Sequence, residues 1–156
     1  MTRPSIPDPP FTGGCLCGAV RYALASRPLA VSACHCRDCK KLSGGAHTTL
    51  ITALRADFSA TGETQGYAKT AESGRVGMIR RCAQCGVRLW HEPQLGPQYV
   101  LISAGTLDDP SWAIPTAHIW TKSAASHEAF LSDALLIEGQ PQDREGMIAA
   151  FKRLYE

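Results

Sequence analysis

The chain has 156 residues, a length that suits one domain with a real core. Hydrophobic residues at 44% and charged residues at 19% exclude a disordered polyelectrolyte, and no apolar run approaches the ~18 residues of a membrane-spanning helix. The formal net charge of +2 argues against a basic nucleic-acid binder, and with every cysteine a thiolate on two zinc ions it would fall to about −1.

The N-terminal stretch MTRPSIPDPP is proline-rich and is expected to be a flexible arm over residues 1–10, with a single domain over 11–156. It lacks the apolar core of a signal peptide, so the expected compartment is the reducing cytoplasm. Clustered cysteines there bind metal or do chemistry more often than they form disulfides. GAVRYAL, LAVSACHC and HTTLITAL read as strands. RVGMIRRC and VRLWHE flank a C-x-x-C turn as the arms of a hairpin, and QYVLISAGTL and TAHIWTKS are further strands separated by the turn DDPSW. At the end, Met147, Ile148, Phe151, Leu154 and Tyr155 recur at helical spacing behind the N-cap candidate Asp143. The expected fold is mainly β, with short strands and one C-terminal helix.

All seven cysteines lie in motifs. Cys15 and Cys17 form C-x-C, Cys34, Cys36 and Cys39 form C-x-C-x-x-C, and Cys82 and Cys85 form C-x-x-C followed by Gly86. A C-x-x-C turn aims two sulfurs at one point, and C-x-C on a strand sends both from one face. The two pairs together complete a tetrahedron of Cys15, Cys17, Cys82 and Cys85, a structural zinc site whose binding energy is folding energy. Cys34, Cys36 and Cys39 are left as an open site, three protein ligands and a fourth position for a ligand from outside, which is the arrangement of a catalytic zinc. A ribbon-like division, with Cys15 and Cys17 joining two of the middle three, would strand a thiol. His35 lies between two cysteines expected to share a face, so it is expected to point away as a packed or solvent-facing residue rather than serve as a fourth ligand.

A zinc ion with three thiolates is a poor generator of hydroxide but suits a fourth sulfur. A thiol bound there would lose its proton and remain nucleophilic at neutral pH. The chemistry expected is the joining of a thiol to an electrophile, or its reversal.

The segments GGCLCGAVRY, CHCRDCKKLSG, RRCAQCGVRLW and GTLDDPSWAIPTAHIWTKS, taken in order over residues 11–125, resemble the glutathione-dependent formaldehyde-activating enzyme family. The resemblance implies several short, coiled antiparallel sheets in a β-tent organised around zinc, and two zinc ions per chain divided as above. It also implies a carbon–sulfur lyase that joins glutathione and formaldehyde as S-hydroxymethylglutathione. Members often carry an arginine pair where this chain has Lys40 and Lys41, which keep the charge but lack the bidentate fork for carboxylate. Many also place a tryptophan where this chain has Ser126 and His127.

Lys40 and Lys41 follow Cys39 directly and are the expected contacts to the carboxylates of an acidic thiol. His47, just beyond Gly44–Gly45, is a candidate to face the open zinc. His118 is expected to be a packed strand residue, and Trp90, Trp112 and Trp120 core or groove wall. The expected partner is a small thiol such as glutathione, with no membrane and no nucleic acid. The alternatives are a non-catalytic zinc module for protein or nucleic-acid interaction and a metal-buffering protein.

Overall fold

The computed structural model describes residues 3–155. Eleven strands and two helices follow in order: β1 (Phe11–Gly14), β2 (Arg21–Leu24), β3 (Ala30–Cys34), α1 (Arg37–Ser43), β4 (Thr48–Leu54), β5 (Phe58–Thr61), β6 (Thr64–Thr70), β7 (Val76–Cys82), β8 (Arg88–Pro93), β9 (Tyr99–Ser103), β10 (Ala117–Ile119), β11 (Leu135–Ile137) and α2 (Glu145–Tyr155). The fold is mainly β, as the strand-length apolar runs predict. No helix among the described residues is long and apolar enough to cross a membrane.

Two open sheets form. The small one has the order β1-β2-β5, and the large one β11-β10-β3-β4-β9-β8-β7-β6. Apolar side chains of both sheets meet in one core, where the Phe58 ring packs against Trp90 at 5.0 Å and Tyr22 at 5.6 Å. Met147 and Phe151 of α2 join this core from the C-terminal end. Asp143 caps that helix by accepting from the Glu145 amide at 2.9 Å, satisfying one of the free N–H groups of the first turn.

The large sheet is not wholly antiparallel. Strand β10 lies parallel to both β3 and β11. It reaches β3 only after the chain has passed through β4 and β6 to β9, and a parallel partner requires a long crossover. Register then fixes the neighbourhood of Cys34, which sits at the end of β3 opposite Thr48 on one side and Ile119 on the other.

Along the arm, Arg3 pairs with Asp133 at 2.7 Å and donates to the carbonyls of Ile114 and Pro115, while Ile6 is buried. These contacts tie the start of the described chain to the segments around β10 and β11.

Candidate metal centres and the cleft beside them

The seven cysteines divide four and three. The sulfurs of Cys15, Cys17, Cys82 and Cys85 all lie within 4.8 Å of one another, as do those of Cys34, Cys36 and Cys39, and each group can hold a metal ion. All seven are free thiols.

Two tight turns build the four-cysteine cluster. In the first, the Cys15 amide donates to the Val20 carbonyl at 3.0 Å, Gly18 takes φ +81°, and Leu16 stands exposed at the tip. This corrects the expected extended C-x-C: Cys15 and Cys17 converge through a turn. The second turn closes with Cys82 donating to Val87 at 2.9 Å and Gly86 at φ +75°, a conformation glycine adopts without a Cβ penalty. Backbone amides of Val20, Gln84 and Cys85 point at Cys15 or Cys82 sulfur, at 3.2 to 3.4 Å, an arrangement that favours thiolates. The Cys15–Cys17 and Cys17–Cys82 sulfurs are 3.5 and 3.8 Å apart. Four thiolates on one tetrahedral ion with metal–sulfur bonds of about 2.3 Å would stand about 3.8 Å apart, so the donor set fits such an ion.

The three-cysteine cluster is built by a strand-to-helix turn. Cys34 ends β3, Cys36 is the N-cap of α1 with φ −64° and ψ 157°, and Cys39 lies in the first turn with its amide 3.3 Å from Cys36 sulfur. Helix α1 was not expected from the sequence, because C-x-C was read as continuing the strand. It ends at Gly44, φ +69°, whose amide donates to the Lys40 carbonyl. The three sulfurs are buried with Trp120, which takes φ +59°, a backbone region costly for a bulky side chain and often found at functional sites. Among the described residues no further Cys, His, Asp or Glu joins the group. Hydrogen bonds from Cys34 and Cys39 push Cys36 down to about 2, while Cys34 is pushed up by Cys36, Cys39 and burial. Negative charge in the cluster therefore settles first on Cys36.

Two cations face these sulfurs, and neither was singled out for this cluster from sequence. Arg88 follows the last cysteine pair in sequence, yet its Nη2 donates to Thr48 Oγ1 at 2.7 Å, and Thr48 donates in turn to the Cys39 carbonyl. Burial lowers the Arg88 pKa, and the Cys39 and Cys34 sulfurs oppose that shift. Lys69 reaches in from β6, where burial opposes its charge but Asp38 and the Cys39 and Cys36 sulfurs outweigh it, so its pKa is raised.

A cleft of about 620 Å³ reaches the cluster through Cys34. Its wall carries Lys69, Arg75, Arg144 and His91 together with the apolar Ile79, Leu101 and Ile119. Arg75 is held by the Gln142 carbonyl at 2.9 Å, and Arg144 lies 5.3 Å over the Tyr99 ring. Burial, followed by the charges of Arg88 and Lys69, pushes His91 down to about 3, and its Nε2 is enclosed without a partner.

The expected carboxylate contacts lie elsewhere. Lys40 Nζ donates to the Ser123 carbonyl at 2.6 Å, Lys41 is exposed on α1, and neither lines this cleft. His47 borders a second hollow with Thr48, Cys85 and Arg88. His35 is fully buried and His118 nearly so, and Trp90, Trp112 and Trp120 are all buried. No signal in the sequence marks Lys69, Arg75 or Arg144. Lys69 and Arg75 come from β6 and the β6–β7 turn and Arg144 from the residue before α2, and only the fold brings them to one wall.

The family model described as glutathione-dependent formaldehyde-activating enzyme matches residues 10–123. The chain belongs to this family. Both cysteine clusters fall inside the matched segment, whereas Glu128, Arg144 and α2 lie beyond it. No curated protein matches the chain. Among solved structures, a crystal structure of a Rhodobacter sphaeroides protein is similar, with a TM-score of 0.50 and 19% identity over 62% of this chain and 87% of that one. That likeness bears on the fold alone.

Proposed function

We propose that this chain is a zinc-dependent carbon–sulfur lyase that joins or cleaves a thiol–aldehyde adduct, with glutathione plus formaldehyde giving S-hydroxymethylglutathione as its leading reaction. The observation that carries the reading is the three-cysteine cluster, which has no fourth protein ligand among the described residues and is open to a cationic cleft at Cys34. Membership of the family supports glutathione and formaldehyde as the chemistry. Zinc suits both donor sets, each made of thiols alone with the sulfurs within 4.8 Å of one another. Held by Cys34, Cys36 and Cys39, it would supply a fourth position at which a thiol gives up its proton at neutral pH.

The chain's own residues do the rest. Lys69, Arg75 and Arg144 offer charge to the carboxylates of an acidic thiol and so direct its sulfur toward Cys34. Trp120 and Ile119 close the apolar side around the sulfurs. Arg88 and Lys69 balance the thiolate charge. In the joining direction the thiol sulfur bonds to the aldehyde carbon, the carbonyl π bond breaks, and the oxygen takes up the proton that the thiol released. Cleavage reverses each change. A zinc held by Cys15, Cys17, Cys82 and Cys85 would tie the turn before β2 to the β7–β8 turn and act on folding. The compartment that suits free thiols and glutathione is the cytoplasm.

The test follows ¹³C-formaldehyde and glutathione by exchange NMR. Zinc-loaded protein should speed interconversion of free aldehyde and adduct in proportion to its concentration, and a Cys36→Ser variant should not. If neither glutathione nor any of a panel of thiols exchanges faster than in buffer, the lyase reading is wrong. Retention of zinc on the three cysteines in that case would favour the non-catalytic module.

A further inference from the structure

Behind the three-cysteine cluster lies a group of side chains that the lyase reading does not use. His35, between Cys34 and Cys36, is fully buried. Its ring lies 5.1 Å from that of His47, 5.3 Å from His118 and 5.4 Å from Phe130. Ligand atoms of His35, His47 and Glu128 all fall within 4.8 Å of one another.

The hydrogen bonding in this group is incomplete in a specific way. His35 Nε2 and His118 Nδ1 are 3.0 Å apart, a good hydrogen bond. His35 Nδ1 and His47 Nδ1 are both buried with no hydrogen-bond partner. Buried polar atoms are nearly always satisfied, and two orphans in one group require a cause. Protonating His35 at Nδ1 would bury an N–H with no acceptor. Protonating it at Nε2 satisfies His118 but leaves a bare lone pair on Nδ1. His47 Nδ1 lies 3.3 Å from Glu128 Oε2, yet does not form an aligned hydrogen bond to it. Ligand atoms on one tetrahedral ion with bonds of about 2.0 Å stand about 3.3 Å apart.

We propose that His35, His47 and Glu128 form a third metal site, separate from both cysteine clusters, that takes a borderline divalent ion of the zinc type. Two imidazoles and one carboxylate are a donor set for such ions. With the ion on His35 Nδ1, the Nε2 proton is fixed and donated to His118. Metal-bound histidines commonly present their second nitrogen to such a partner. The ion thereby satisfies both orphan nitrogens and the Glu128 carboxylate, whose side chain is only 14% exposed. Phe130 packs on both His35 and His118 and encloses the far side. The site does not depend on the thiol–aldehyde chemistry, and its failure would leave that reading untouched.

Cobalt(II) is the probe, titrated into reduced, metal-free protein. Cobalt on the cysteine clusters gives an intense thiolate charge-transfer absorption, and cobalt on nitrogen and oxygen gives only weak ligand-field bands. The parent should go on binding cobalt after the thiolate absorption saturates, reaching about three ions per chain by elemental analysis. Glu128→Gln and His47→Ala, both at partly exposed positions, should weaken that last ion at least about tenfold with the thiolate absorption unchanged. His127→Ala, at an exposed histidine two residues from Phe130's neighbour in sequence, should keep it. A parent that binds cobalt only at its thiolates would overturn the site. So would an extra ion retained by both Glu128→Gln and His47→Ala.

Discussion

Lys69 Nζ lies 3.1 Å from Asp38 Oδ2, so an ion pair joins the edge strand β6 to the helix that carries Cys39. The lysine side chain is 18% exposed and the aspartate 43%. Lys69 also lines the cleft that reaches Cys34. It is thus one cation with three roles open to it: holding α1, balancing thiolate charge and meeting a substrate carboxylate.

Affinity for an acidic thiol separates the third role from the first two. Lys69→Ala should weaken glutathione binding by about 1–2 kcal/mol, the range for a partly desolvated charged hydrogen bond, and leave 2-mercaptoethanol unaffected. A Lys40→Ala, Lys41→Ala double variant should change glutathione binding by less than about 0.5 kcal/mol, since Lys40 is engaged by the Ser123 carbonyl, Lys41 is exposed and neither lines the cleft. Calorimetry on the zinc-loaded proteins decides it. A larger loss in the double variant than in Lys69→Ala would return the carboxylate contact to the pair that follows Cys39.

The division of the cysteines was legible in the sequence because each group is local and metal geometry fixes the spacing. Strands β4 and β9, which carry no cysteine, were legible as apolar runs bounded by turns. Strand β6 was not, since TQGYAKT has no apolar alternation, none of its residues is buried, and it lies along the sheet edge. Helix α1 was hidden by its own cysteines. Its N-cap is Cys36, a residue outside the usual capping set, although Gly44 and Gly45 do mark a stop. The cleft wall could not be read at all, because Lys69 and Arg75 share the β6–β7 hairpin but meet Arg144 only through long-range packing.

Loss of a ligand should affect the two cysteine clusters differently. Cys15→Ser and Cys85→Ser should each lower the thermal midpoint sharply, because an ion held by the four cysteines would link the turn before β2 to the β7–β8 turn, and its binding would be folding energy. Cys36→Ser should cost less stability, since α1 retains its Gly44 cap and its packing. Calorimetric scans with zinc analysis would show one metal lost in each variant. Equal falls in midpoint for all three would mean that both ions hold the fold.

Gly62 offers a purely steric route to the same four-cysteine cluster. Its φ is +92°, and a Cβ there would stand 2.0 Å from the Ala19 carbonyl oxygen, in the segment just after Cys17. Gly62→Ala should therefore destabilise by about 2–4 kcal/mol and speed zinc loss to a chelator, combining backbone strain with displacement of the cysteine turn. Gly74, at φ +79° with nothing within 4 Å of its missing Cβ, isolates the backbone term. Gly74→Ala should cost about 1 kcal/mol with zinc release unchanged. Equal effects of the two would remove the steric argument.

His91 sets the sign of one pH dependence. Its folded pKa is pushed down to about 3, first by burial and then by Arg88 and Lys69, from an unfolded value near 6.5. Between those values the unfolded chain binds the extra proton, so stability is intact above pH 6.5 and declines as pH falls toward 3. The slope from one such group approaches about 1.4 kcal/mol per pH unit. Cysteine protonation adds to the same decline, so the comparison is between two proteins rather than two pH values. His91→Leu removes the enclosed Nε2 that has no partner and should flatten the stability profile between pH 6.5 and 5 by roughly 1 kcal/mol per unit. Denaturant titrations of both zinc-loaded proteins across that window measure the difference. Parallel profiles would mean that His91 takes up its proton in the folded cleft as readily as in the unfolded chain, so that it is charged there below about pH 6.5.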